Sequence, residues 1–182
     1  MNAVLENMSG AIGDLVFRRR AGRVIVARKP EYTNRHPSAS QLAHAERFRQ
    51  AAAYAKAALA DAILRPIYDA ASKEKGVQPY PLAVGDYLNA PTVDAIVLDG
   101  YTGKAGEHIG IRASDDIEVV SVTVSIRTEK GAMEHGGAVL EQGVWRYTTR
   151  SNMDLASGSV AIDVTVMDRP GNKTTKTEVK QP

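Results

Sequence analysis

The side chains of this chain best equipped for chemistry are four histidines, a scatter of aspartates and an arginine-rich turn. His36, His44, His108 and His135 stand far apart, with no H-E-x-x-H motif and no pair at ligand spacing within one helix. There is no cysteine, which removes thiolate nucleophiles, disulfide frameworks, iron–sulfur clusters and cysteine-held zinc. Gly10 and Gly13 lack the G-x-x-x-x-G-K-[ST] pattern of a phosphate loop and precede a strand, and no G-x-S-x-G elbow occurs. Asp99, Asp115, Asp116 and Asp168 occupy sequences that read as turns. Calcium binds where such turns converge, but no loop supplies the alternating oxygen ligands of an EF-hand. No catalytic residue, metal ligand or cofactor is therefore assigned, and the chain is read as non-enzymatic.

The arginines remain. Arg18, Arg19, Arg20 and Arg23 lie at the centre of Gly10 to Lys29, GAIGDLVFRRRAGRVIVARK. Leu15-Val16-Phe17 and Val24-Ile25-Val26-Ala27 flank Ala21-Gly22, where glycine supplies the positive φ of a tight turn. A two-residue loop pairs Phe17 with Val26, Val16 with Ala27 and Arg20 with Arg23. Both faces near the open end are then apolar, and an isolated hairpin is marginal in water, so another part of the chain or another subunit must cover them. Opposed arginines repel; these want either open water or an anionic partner. Leu15, Phe17, Val24 and Val26, together with Phe48 further on, are the expected assembly contacts, and Arg18, Arg19, Arg20 and Arg23 the expected contacts to an anionic partner.

Composition is that of a globular protein, 43% hydrophobic and 24% charged over 182 residues. Net charge is +2 but uneven: +4 over residues 1–36, +2 over 37–78 and −4 over 79–182. Complementary ends suit contact between copies, and equally contact within one copy. The sequence MNAVLENMSG has no signal-peptide pattern, and no run approaches the ~20 apolar residues of a membrane span. Synthesis in the cytoplasm is expected, with incorporation into a phage-like or extracellular particle as a further destination.

Residues 30–37, PEYTNRHP, read as an extended connection. Ser38-Ala39-Ser40-Gln41 fits a capping box that opens a helix. Leu42, Ala45, Phe48, Ala52, Ala55 and Leu59 follow at spacings of three and four, forming one stripe. A second helix is expected from about Arg65, with Pro66 in its first turn, to Gly76. Residues 77–91 hold three prolines and several apolar side chains and read as an anchored linker.

From Thr92 onward the pattern alternates. Seven strands are expected, at 93–98, 108–113, 117–127, 138–140, 144–148, 159–167 and 173–179, separated by turns such as Asp99-Gly100, Gly136-Gly137 and Pro170-Gly171-Asn172. Trp145 and Tyr147 occupy the place of core residues between sheets. The fold class is α+β: a β-hairpin segment (1–37), a helical arm (38–76), the linker (77–91) and an antiparallel β-sandwich (92–182).

Two resemblances add to this. Ile111-Arg112-Ala113-Ser114-Asp115-Asp116 leading into Val119–Ile126, Val144-Trp145-Arg146-Tyr147-Thr148, and Val166-Met167-Asp168-Arg169-Pro170-Gly171-Asn172 resemble bacterial immunoglobulin-like domains. That resemblance implies an adhesive or spacer module without catalysis. Ser9-Gly10-Ala11-Ile12-Gly13, the hairpin, Pro37-Ser38-Ala39-Ser40-Gln41 and Arg47-Phe48 are similar to uncharacterised bacterial and phage-associated structural proteins, implying a component of a particle or fibre. The expectation is a homo-oligomeric assembly protein with other particle components as partners. The alternative is a nucleic-acid-binding protein using the arginine turn, for which steep salt dependence is diagnostic.

Overall fold

The apolar residues on either side of the arginine turn pair as their alternation dictates. Strands β2 (Leu15–Arg20) and β3 (Arg23–Arg28) are antiparallel, with Phe17 opposite Val26, Val16 opposite Ala27 and Arg20 opposite Arg23. The computed structural model describes residues 9–20, 23–30, 36–128, 131, 133–155 and 158–181; the Ala21-Gly22 turn and most of the connection at 30–37 lie outside them. A further strand, β1 (Gly10–Ile12), pairs with β2 across a turn in which Gly13 takes φ of 57°. The expected hairpin is thus a sheet of order β1-β2-β3. Three residues that begin with glycine are too few to show a period of two, so the pattern did not announce this strand.

The chain divides into two compact units, residues 1–42 and 43–182. Helix α1 (Ala39–Ala60) opens on the expected capping box: the Gln41 N–H donates to Ser38 Oγ at 3.3 Å, and the Ser38 N–H to Gln41 Oε1 at 2.9 Å. Its buried residues are Ala51, Ala55 and Ala58, whereas Leu42 and Phe48, in the N-terminal half of the expected stripe, are exposed. Helix α2 (Arg65–Lys75) ends as expected at Gly76, whose φ of 66° is the left-handed cap that glycine takes without a Cβ clash. Residues 79–88, read as part of a linker, form helix α3 (Pro79–Leu88). Pro79 and Pro81 are accommodated in its first turn, and buried Ala83 and Val84 hold it in place. Tyr68 joins Ala51, Ala55, Ala58, Ala83 and Val84 in one small core, against which Ile117 also packs.

Among the described residues eight strands follow: β4 (Thr92–Val97), β5 (His108–Ser114), β6 (Val119–Thr128), β7 (Met133–Gly137), β8 (Val139–Glu141), β9 (Val144–Thr148), β10 (Val160–Asp168) and β11 (Lys173–Lys180). They form two antiparallel sheets, β4-β5-β9-β8 and β11-β10-β6-β7. Seven were expected. The addition, β7, contains the Gly136-Gly137 pair read as a turn. Gly136 is needed there because a Cβ would lie 2.9 Å from Tyr147 Cε2. Along β10, Val160, Ile162, Val164 and Val166 are buried while the intervening residues are half-exposed, the one-sided alternation read from the sequence. Ile109, Ile111 and Tyr147 from one sheet and Val122, Val124, Ile126 and the β10 residues from the other belong to a single core. Trp145 packs at its margin; Tyr147 is the aromatic at its centre.

Candidate functional site

Residues opposite each other in antiparallel strands share a face, so the register of β1-β2-β3 sorts its side chains. Leu15, Phe17, Val24 and Val26 fall on one face, joined by Ile12 opposite Leu15 and bordered by Arg19 and Arg28. The other face carries Val16, Ala27, Ile25, Arg18, Arg20 and Arg23. Four of the expected assembly residues thus come together, while the arginines divide, Arg19 standing apart from the other three. No residue of the three strands is buried, and Ile12 is 60% exposed. Among the described residues no carboxylate pairs with Arg18, Arg19, Arg20 or Arg23. Phe48 lies on α1, 51% exposed.

The remaining polar residues are held by structure. His135 Nδ1 shares a hydrogen bond of 2.9 Å with Ser125 Oγ, and His108 Nδ1 one of 3.1 Å with Thr148 Oγ1. The first belongs to a groove of about 420 Å³ on the outer face of the β11-β10-β6-β7 sheet, where Arg127 and Asp163 form an ion pair at 2.8 Å. Its polar groups are thereby engaged with one another. Glu134, on β7, is buried and accepts the Tyr147 hydroxyl at 2.6 Å and the N–H groups of Arg150 and Ser151 at 2.7 and 2.8 Å. Burial opposes the charge of Glu134, but these three donors outweigh it and hold the carboxyl below its ordinary value.

Of the turn aspartates, Asp115, Asp116 and Asp168 come together at the end of the strands nearest α3, while Asp99 follows β4 at the opposite end of β5. They meet a residue the sequence reading passed over, Asp86 of α3, which is fully buried. The Tyr68 hydroxyl donates to Asp86 Oδ2 at 2.5 Å, so the Tyr54 hydroxyl, 2.8 Å away, donates to Tyr68. Asp168 Oδ1 accepts the N–H groups of Gly171 and Asn172. The Asn172 amide reaches the carbonyls of Asp86, Tyr87 and Asn89. Burial raises both Asp86 and Asp168 from the ordinary aspartate value, Asp86 to about 7. The one signal that could have found Asp86 is an aspartate inside the apolar run Leu82 to Leu88. Among the described residues no three metal-binding side chains gather as a metal centre, and no helix is long and apolar enough to cross a membrane.

No protein-family model matches the chain, and no curated protein matches it. Among solved structures it is similar to the solution structure of a conjugate transposon protein (residues 27–141) from Bacteroides vulgatus, at 18% identity. The match covers 49% of this chain and 80% of that one with a TM-score of 0.26. At that score the likeness assigns neither fold nor function.

Proposed function

We propose that this chain is a non-enzymatic assembly protein that builds a homo-oligomeric particle, shell or fibre of phage-like type through the β1-β2-β3 sheet. The observation that carries the reading is a sheet that groups Ile12, Leu15, Phe17, Val24 and Val26 on one face and contains no buried residue. Such a sheet lacks the packing that independent stability needs, and a second copy supplies it by burying Ile12, Leu15, Phe17, Val24 and Val26. Strands 92–180 serve as an immunoglobulin-like module for display or lateral contact. In support, the strand orders β4-β5-β9-β8 and β7-β6-β10-β11 reproduce the A-B-E-D and C′-C-F-G arrangement of immunoglobulin-type sandwiches.

Light scattering and negative-stain microscopy across protein concentration test the reading. Oligomers that Phe17→Asp and Val26→Asp dissolve into folded monomers are expected. A wild-type chain that stays monomeric at high concentration would overturn it.

A second reading rests on Arg18, Arg20 and Arg23, which share a face without a carboxylate partner among the described residues. That face suits a polyanion such as nucleic acid. Binding that weakens steeply with salt, and less steeply in the triple glutamine variant, would support it; no binding at low salt would remove it.

A further inference from the structure

Among the described residues, two carboxylate oxygens at the junction of α3 with the β5–β6 turn find no hydrogen-bond donor. Asp86 Oδ1 and Asp115 Oδ1 are both buried and unpartnered, and the two carboxyl groups lie within hydrogen-bonding reach of each other. Two bare carboxylate oxygens facing each other away from water are strongly unfavourable, so a positive species belongs between them. The other oxygen of Asp115, Oδ2, accepts the N–H groups of Ile117 at 3.2 Å and Glu118 at 3.1 Å. Asp86 receives only the Tyr68 hydroxyl, on its other oxygen.

We propose that Asp86 and Asp115 share one proton, carried by Asp86 and donated to Asp115, so that this junction is a clasp that weakens when the proton leaves. Hydrogen bonds then run in one direction from Tyr54 of α1 through Tyr68 of α2 and Asp86 of α3 to Asp115 between β5 and β6. The other charged groups at the junction come from each element around it. Asp168 at the end of β10 adds negative charge near the pair. Arg169, bound to Glu118, is the nearby cation of the β10–β11 turn. Lys75 at the end of α2 is taken by the Asp116 carbonyl, and Asp116 Oδ2 accepts the Asn89 amide at 2.6 Å. None of these donates to the two bare oxygens.

Burial, ahead of the neighbouring charges, raises Asp86 from 3.8 to about 7. A carboxyl raised in the folded state stabilises most below its unfolded value and loses that contribution as pH climbs through the folded value. The loss is therefore expected between about pH 4 and pH 7, by up to about a thousandfold in the unfolding equilibrium. Asp86→Asn keeps a donor toward Asp115 and removes the titration.

The test is urea denaturation of the full chain from pH 4.5 to 8.5 for wild type and D86N, with carbon-13 titration of the Asp86 carboxyl in the wild type. A fall in stability from pH 4.5 to about 7 that levels off above it and that D86N flattens, with Asp86 titrating at least two pH units above an ordinary aspartate, supports the shared proton. Should D86N not fold, the wild-type carboxyl titration decides alone. Equal pH slopes in two folded proteins, or an Asp86 that titrates near 4, would overturn the proposal. So would stabilisation by millimolar calcium chloride that D86N abolishes, which would place a cation where the proton is assigned.

Discussion

Glu134 offers a test of how the strand region is held together, because one carboxylate of β7 serves three donors from β9 and the residues just after it. Tyr147→Phe removes one hydrogen bond to a charged group, a loss of about 1.5–3 kcal/mol. Glu134→Ala is worse. It leaves the Tyr147 hydroxyl unpaired in a core where that residue is 1% exposed, at about 1–3 kcal/mol, and releases two backbone N–H groups at about 0.5–1.5 kcal/mol each. The total is about 2–6 kcal/mol, a large share of the ~5–15 kcal/mol that holds a domain folded. In the double variant the hydroxyl and its acceptor are both gone, so the two losses overlap by about 1–2 kcal/mol. Urea denaturation followed by fluorescence of Trp145, the single tryptophan, measures all four proteins. Acid gives a second readout. The folded carboxyl lies below its ordinary 4.5, so its contribution is present above that value and fades as pH falls through the folded one. The gap between wild type and Glu134→Ala should narrow in acid. Strictly additive losses, or a gap that widens below pH 4, would refute the assignment of this carboxylate as the shared acceptor.

Three further substitutions probe other joints. Ile162→Ala, at a site with no exposure in the middle of β10, should cost about 2–5 kcal/mol by cavity formation in the same denaturation assay. Gly76→Ala places a Cβ at φ of 66° in open space, so backbone strain alone acts and the loss should be about 1–2 kcal/mol. Gly136→Ala drives a Cβ to 2.9 Å from the Tyr147 ring; displacement of that ring should cost about 1–3 kcal/mol and alter the near-ultraviolet circular dichroism.

Local signals were legible wherever chemistry and geometry act over a few residues. Ser38 and Gln41 announced the start of α1, Gly76 the end of α2, and the β2–β3 register followed from where the apolar runs lie about Ala21-Gly22. The misses share a cause. Pro79, Pro81 and Gly85 outweigh Ala83 and Val84 when α3 is judged alone, yet packing against α1 and α2 decides the matter. Gly136-Gly137 reads as a turn until Tyr147, distant in sequence, is seen to require the space. Asp86 became a site residue only through Tyr68 and Asp115, neither near it in the chain. The stripe from Leu42 to Leu59 was overextended, because burial on α1 begins at Ala51.

The Asn172 amide has a consequence for the order in which the protein is made. It binds carbonyls 83 to 86 positions earlier in the chain. At the ~5–20 residues per second of protein synthesis, α3 exists for roughly 4–17 s before that amide is polymerised. During that interval the newly made helices depend on their own small alanine-rich core, and the last pair of strands fastens them afterwards.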